Sequence, residues 1–308
     1  MAGLDARPVT RVLVTGASGF VGRHTLAPLA AAGVEVHTAG RQPPPAASAR
    51  HHGVDLLDRE ATTSLVRDVR PTHLLHCAWT VEHGAFWTSP DNLDWTAATL
   101  HLARACADAG VRRIVGVGTC VEYDWADGGP APRREDDPLR PGTLYGTAKA
   151  STFALLTAFC RQAGLGFAWG RLFHLFGPGE DERRLIASLL AALAAGRPAE
   201  LASGRPVRDF LSTVDAGAAL AALTLSGVDG AVNVASGEAV SIADLAGEIA
   251  AIAGRPDLLR LGARPDPAGE APRMVADASR LRDEVGFRPA RDRRERLAEL
   301  WAQARRPS

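Results

Sequence analysis

Tyr145-Gly-Thr-Ala-Lys149 sets a phenol and an amine four positions apart. On a helix such residues share one face, about 5–6 Å apart at Cβ. A free tyrosine ionises near pH ~10 and is a poor base at neutral pH. Bringing that value to about 7 takes roughly 4 kcal/mol, at about 1.36 kcal/mol per unit. One ammonium about 4 Å away supplies a similar amount at an effective dielectric of ~20. The Lys149 charge is therefore expected to make Tyr145 a usable general acid/base. Upstream, Ile114-Val-Gly-Val-Gly-Thr119 is an apolar run that ends in a hydroxyl. Thr119 is the candidate hydrogen-bond donor to a reacting oxygen, at the strand end where such sites assemble.

A second constellation lies at the start of the chain. The apolar run Arg11–Thr15 leads into Gly16-Ala-Ser18-Gly19-Phe20-Val21-Gly22, and a helical stretch follows. Glycines at this spacing let the backbone turn tightly and approach a pyrophosphate, and a helix start offers it free N–H groups. The loop predicts a dinucleotide site, whose oxidised nicotinamide ring would add to the Lys149 effect on Tyr145. The next strand ends in Thr38-Ala39-Gly40-Arg41, without the acid that usually meets an NAD ribose. Arg41, helped by Arg23, is suited to grip a 2′-phosphate in fork geometry, so NADP(H) is favoured over NAD(H). Asp55 and Leu56, after the third strand, are placed to receive the adenine ring. Lys149 also suits the nicotinamide ribose.

The elements that must hold these residues alternate. Short apolar runs at Val34–Thr38, Leu74–Ala78 and Ile114–Val117 are separated by helical spacings at His24–Ala32, Asn92–Ala109 and Tyr145–Ala163. Pro28 is expected to kink the first of these helices. Strands separated by helices imply right-handed crossovers and a parallel sheet. Later helices are expected at Leu185–Ala195, Asp215–Leu225 and Ser241–Ala253, the last capped by Ser241. The fold class expected is α/β: a Rossmann-type doubly wound parallel sheet with a smaller C-terminal α/β substrate-binding region. The dinucleotide domain spans residues 1–172, with 209–235 returning to it. Residues 173–208 and 236–308 form the smaller region.

Lys+Arg and Asp+Glu are both 35, so the formal net charge is zero. Such a chain has no general pull on nucleic acid or an anionic membrane, and any phosphate must be held locally. The four cysteines, Cys77, Cys106, Cys120 and Cys160, show neither disulfide nor metal spacing. They suit a reduced, cytoplasmic setting. No signal-peptide or membrane-spanning pattern is read.

These motifs resemble the extended short-chain dehydrogenase/reductases of the NAD-dependent epimerase/dehydratase family, which act on nucleotide sugars. GASGFVG matches the family's glycine loop. His76-Cys77-Ala78-Trp79 is similar to its "HLAA" strand end beside the cofactor. Asn92 matches the asparagine that opens its next helix. Gly118-Thr119-Cys120-Val-Glu-Tyr123 is similar to "SS-x-x-VYG", and Tyr145 and Lys149 to its catalytic pair. Arg171-Leu172-Phe-His174-Leu-Phe-Gly-Pro-Gly179 is similar to "RYFNVYGPG". Arg208–Asp215 and Val232–Glu238 are similar to "RDFVYVDD" and "YNVGSGE".

The resemblance implies cofactor contacts at Cys77, Ala78, Trp79 and Leu172. It implies a nucleotide-diphospho-sugar ligand clamped by Arg208 and Arg273, with Cys120 and His174 near the sugar. His83, Glu82, Phe86 and Trp87 lie in the loop that shapes the family's sugar pocket. A homodimer built on Asn92–Ala109 and Tyr145–Ala163 is also implied. Three departures matter. The 4,6-dehydratases follow the threonine with Asp-Glu, where this chain has Cys120-Val121, which disfavours dehydration. His174 stands where asparagine is usual, and Asp124 where glycine is usual. The expected activity is a 4-ketoreductase, an NADP(H)-dependent interconversion of a 4-keto and a 4-hydroxy nucleotide-diphospho-(6-deoxy) sugar. A 4-epimerase retaining NAD is the alternative. A non-catalytic cofactor sensor would be expected to have lost Tyr145 or Lys149.

Overall fold

The computed structural model describes residues 9–45, 49–80, 82–126 and 128–305; the first eight residues, read above as lacking a signal sequence, lie outside them. The chain runs β1 (Arg11–Thr15), α1 (Leu26–Ala31), β2 (Glu35–Gly40), β3 (Arg50–Gly53), α2 (Arg59–Val69), β4 (His73–His76), α3 (Asp91–Asp108), β5 (Arg113–Thr119), α4 (Leu144–Ala163) and β6 (Gly166–Leu172). It continues through β7 (His174–Phe176), α5 (Leu185–Ala194), β8 (Ala199–Glu200), β9 (Val207–Ser212), α6 (Thr213–Leu225), β10 (Gly230–Val234) and β11 (Ala239–Ser241). Last come α7 (Ile242–Ile252), β12 (Leu259–Arg260), β13 (Arg273–Met274) and α8 (Arg293–Ala304).

Seven parallel strands form the main sheet in the order β10-β6-β5-β4-β1-β2-β3. Its central strands β1 and β5 are buried on both sides because both faces are covered. Leu13, Leu74 and Ile114 face α2, α3 and α4, packing with Leu102, Leu156 and Trp169. Val12, Val14, Leu75 and Val115 face α1 and α6, packing with Leu26, Leu29 and Leu220. The strand order reverses between β1 and β4, and at such a switch point the carboxyl ends of the strands open a crevice.

After β6 the chain leaves this sheet. β9 pairs with β7 and β13 in parallel and with β11 antiparallel. Phe176, Leu189, Phe210, Leu245, Ile249 and Leu297 form a separate core beneath α5, α7 and α8. Within residues 209–235, Asp209–Ser212 belong to this small sheet, whereas α6 and β10 lie on the main one.

Pro28 does not kink a long helix. Residues Gly22–Thr25 are wound as a 3-10 turn, and Pro28 falls in the first turn of α1, where its missing N–H has no helical partner to lose. α2 and α8 were not read from the sequence. Asp58 caps α2 by accepting from the amides of Glu60 and Ala61, and Thr62, Leu65, Val66 and Val69 form its buried face. α8 opens with a reciprocal Asp292/Glu295 capping box.

Candidate active site

The carboxyl ends of the main strands gather the expected cofactor residues. Thr15 lies in register with both Ala39 of β2 and His76 of β4, so the glycine loop, the end of β2 and Cys77–Trp79 stand side by side. Gly16 takes φ +70°, and a Cβ there would lie 2.6 Å from the Ala78 amide nitrogen. A Cβ on Gly22 would lie 2.2 Å from the Gly16 carbonyl oxygen. Only glycine allows this loop to close so tightly on β4. Ser18, Phe20 and Val21 lie in the same turn, ahead of the 3-10 segment.

Arg23 folds back, its Nε donating to the Gly19 carbonyl at 2.8 Å, and its guanidinium lies against Gly179 of the second lobe. That differs from the expected assistance to Arg41: the side chain braces the loop. Arg41 is exposed at the end of β2. Asp55 is exposed and accepts from the Leu57 amide, while Leu56 turns inward onto the α2 core. Leu172 ends β6 in register with Thr119. A glycine turn stacked on two strand ends, with an unburied guanidinium on the neighbouring strand, fits a dinucleotide phosphate.

Tyr145 and Lys149 lie on α4, whose first turn is capped by the Thr143 hydroxyl accepting from the Gly146 amide. The half-buried Tyr145 ring packs edge-on against Phe86 and Trp87, at 4.9 and 5.9 Å between centroids. Burial pushes its pKa up, the Glu122 charge adds to this, and a hydrogen bond with the Thr119 side chain works the other way. Lys149 is 4% exposed. Its ammonium donates to the Val117 carbonyl at 2.8 Å and stands 3.7 Å from the centre of the Trp79 ring. Burial lowers its pKa to about 7, against the pull of Glu122.

The expectation was that Lys149, helped by an oxidised nicotinamide ring, makes Tyr145 a usable acid/base. In this state the ammonium is directed to a carbonyl and an aromatic face, and desolvation of the phenol prevails.

Thr119 stands at the end of β5, on the side of Tyr145. Its position is fixed by a residue that sequence reasoning missed. Glu122 is completely buried and accepts from the Thr119 amide at 2.8 Å, Trp169 Nε1 at 3.0 Å and Arg171 Nε at 2.8 Å. Gly116 and Gly118 make this possible: a Cβ on either would lie within 2.5 Å of the Trp169 ring. The Gly-x-Gly of β5 is thus a slot for an indole. An acid in the place of the valine of "VYG" was the available signal.

Beside this edge, a cavity of about 220 Å³ is lined by His174, Glu180, Arg184, Arg208, Phe210 and Glu270, among others. Arg208 is 3% exposed and ion-paired to Glu270 at 2.6 Å. Arg273 on β13 lies one residue from the Arg208 register, and its Nε is buried without a hydrogen-bond partner among the described residues. His174 Nδ1 is likewise buried and unpartnered among them; burial, then Arg208 and Arg184, lowers its pKa to about 3, so the ring is neutral. Burial raises Glu180 to about 7 despite Arg184. Cys120 is buried against Tyr123 and Phe173, with its thiol pushed up to about 12 by burial. His83 is exposed, within electrostatic reach of the Asp181 carboxylate.

Known proteins resemble this chain in sequence and fold. The family model described as the NAD dependent epimerase/dehydratase family matches residues 12–235. A dTDP-4-dehydro-6-deoxy-D-allose reductase from a Streptomyces species is 31% identical, over 90% of this chain and 91% of its own. A dTDP-6-deoxy-L-talose 4-dehydrogenase (NAD(P)(+)) from Kitasatospora kifunensis is 32% identical over 94% of each chain. The solved UDP-glucose 4-epimerase of Thermus thermophilus, in complex with NAD, superposes with a TM-score of 0.83 at 26% identity, covering 96% of this chain and 99% of that one. With a matched model spanning most of its length, and relatives that align almost end to end, the chain belongs to the NAD dependent epimerase/dehydratase family.

Proposed function

We propose that the chain is an NADP(H)-dependent ketoreductase that interconverts the 4-keto and 4-hydroxy forms of a nucleotide-diphospho-(6-deoxy) sugar. The observation that carries this reading is the meeting of Tyr145 and Thr119 at the sheet edge, beside a cavity lined by Arg208. The bound nicotinamide supplies the hydride. Thr119 and Tyr145 orient the C4 oxygen, and the phenol gives up its proton to that oxygen as C4 becomes a carbinol. A raised phenol pKa suits this direction, because the proton stays on Tyr145 at neutral pH. Arg208 and Arg273 hold the diphosphate, with Glu270 leaving Arg208 when phosphate arrives. The glycine loop, Cys77–Trp79, Leu172 and Asp55 receive the dinucleotide, and exposed Arg41 favours NADP(H).

The two relatives named above act at C4 of dTDP-deoxysugars by their names, which supports the same substrate class here. The protein is taken to be cytoplasmic and dimeric. Leu93 on α3 and Leu155 on α4 are 60% and 52% exposed, which suits a helical interface. The test is cofactor stoichiometry with a dTDP-4-keto-6-deoxyhexose. A ketoreductase consumes one NADPH per sugar reduced; retained NAD with no net turnover of free cofactor would establish the 4-epimerase instead.

Glu180 gives this reading a pH signature. Its carboxyl is held protonated up to about pH 7 by burial, and it lines the cavity with Arg184 and Arg208. The neutral acid does not repel an anionic ligand; the carboxylate does. Nucleoside-diphosphate affinity is therefore expected to fall as pH rises through about 7, and Glu180→Gln to flatten the profile. Isothermal titration at pH 6 and pH 8 decides it. The folding contribution has the same sign, since a raised carboxyl stabilises below its unfolded value of about 4.5 and loses that stabilisation by about 7.

A further inference from the structure

We infer that Trp79 is a positioning residue for Lys149, its indole face holding the ammonium against the Val117 carbonyl at the carboxyl end of β5. The inference rests on the role given to Lys149 above. In the motif that Cys77–Trp79 resembles, the place of Trp79 is taken by alanine, so this face belongs to this chain and not to the shared pattern.

Three linked contacts make the arrangement. Lys149 Nζ lies 3.7 Å from the Trp79 ring centre, inside the range where an aromatic face attracts a cation. Trp79 Nε1 donates to Asn92 Oδ1 at 2.9 Å, which fixes the tilt of the ring. The fully buried Asn92 amide nitrogen donates to the carbonyls of Phe86 and Ser89 at 2.8 and 2.9 Å. The loop from residue 82 to residue 89 therefore holds Lys149 through Asn92 and Trp79. The same loop holds Tyr145, whose amide donates to the Trp87 carbonyl at 3.2 Å and whose ring meets Phe86 and Trp87. One segment after β4 thus sets both members of the pair.

The other titratable or charged groups around Lys149 are Glu122 on the turn after β5, His76 and Cys77 at the end of β4, and Tyr145 one turn earlier on α4. Burial dominates and disfavours the ammonium. The ring face opposes that desolvation without adding a charge, and so leaves the Glu122 pairing with Arg171 undisturbed.

The sequence offers a direct probe, because Lys149 is its only lysine. Selective ¹³C-lysine labelling of the full chain gives one Cε–Hε resonance. In the wild type it is expected upfield of a free lysine, displaced by the indole ring current, with a titration midpoint well below the free value of ~10.4. Trp79→Leu should remove the upfield displacement and lower the midpoint by about one pH unit. Trp79→Phe, which keeps a face and loses the Asn92 bond, should restore most of the displacement.

In turnover, Trp79→Leu should lower kcat about 10-fold and Trp79→Phe about 3-fold, with sugar KM little changed. An unshifted wild-type resonance, or one indifferent to Trp79→Leu, overturns the inference. If Trp79→Leu does not fold, the wild-type and Trp79→Phe spectra decide, and an unshifted resonance in either overturns it. A normal spectrum without reduction of any 4-keto sugar supports the placement of Lys149 and counts against the proposed function alone.

Discussion

Tyr145→Phe lowers kcat by about 10²–10⁴-fold, the range expected when a positioned proton donor is removed, and leaves cofactor affinity within about 2-fold. Phenylalanine keeps the ring that packs edge-on against Phe86 and Trp87, so the fold and the loop after β4 are retained. What is lost is the phenol oxygen that lies towards Thr119. Turnover and cofactor binding must therefore separate. Single-turnover hydride transfer and a cofactor titration on the same preparation measure both.

The chain has two tyrosines, which adds a control. Tyr123 is 1% exposed, donates to Asn233 Oδ1 at 2.6 Å and accepts from Arg171 at 2.9 Å. Burial also pushes its pKa up. A phenolate absorbance step present in the wild type and missing in Tyr145→Phe therefore belongs to Tyr145. Undiminished kcat in the variant would remove Tyr145 from the mechanism and, with it, the reading of the whole edge.

The features legible in the sequence are those whose partners lie close along the chain. The phenol and amine are one helical turn apart, and the glycine loop needs only the strand before it and the turn after it. The parallel sheet follows from alternation, because its central strands are short apolar runs separated by helical spacings. α2 was missed because Thr62, Leu65, Val66 and Val69 give only a thin stripe among charged residues, and α8 because only Leu297 of its face is fully buried.

The directions of side chains were not legible. Lys149 was expected to serve the phenol, yet β4 brings an indole to its other side. Arg23 was paired with Arg41 by sequence proximity, whereas the folded loop turns it toward Gly179. Glu122 was passed over because its partners Trp169 and Arg171 are 47 and 49 residues away, and they adjoin it only once β6 pairs with β5.

That buried acid supports the second large prediction. Glu122→Gln is expected to destabilise the protein by about 3–5 kcal/mol, the usual cost of leaving one partner of a buried ion pair uncompensated. Three donors converge on the carboxylate: a main-chain amide, an indole N–H and a guanidinium. The glutamine oxygen cannot accept all three with the same geometry, and its amide hydrogens face donors. Arginine is effectively always protonated in proteins, so the guanidinium stays charged in the variant and loses its counter-ion.

In thermal unfolding of a chain this long, this corresponds to a fall in Tm of roughly 5–8 °C. The valine of the related motif does no better alone, because Arg171 remains. Glu122→Val with Arg171→Leu should recover part of the loss, since apolar replacement of both partners avoids the stranded charge. Recovery stays incomplete, because Arg171 also donates to Tyr123 Oη and to the Glu135 carbonyl.

The same substitution separates a structural role from a positioning one. Thr119 loses the acceptor for its amide, so the hydroxyl beside Tyr145 shifts and kcat falls even well below the lowered Tm, while Arg208 and the sugar KM are spared. A Tm unchanged in Glu122→Gln would show that the ion pair with Arg171 is not what fixes the end of β5.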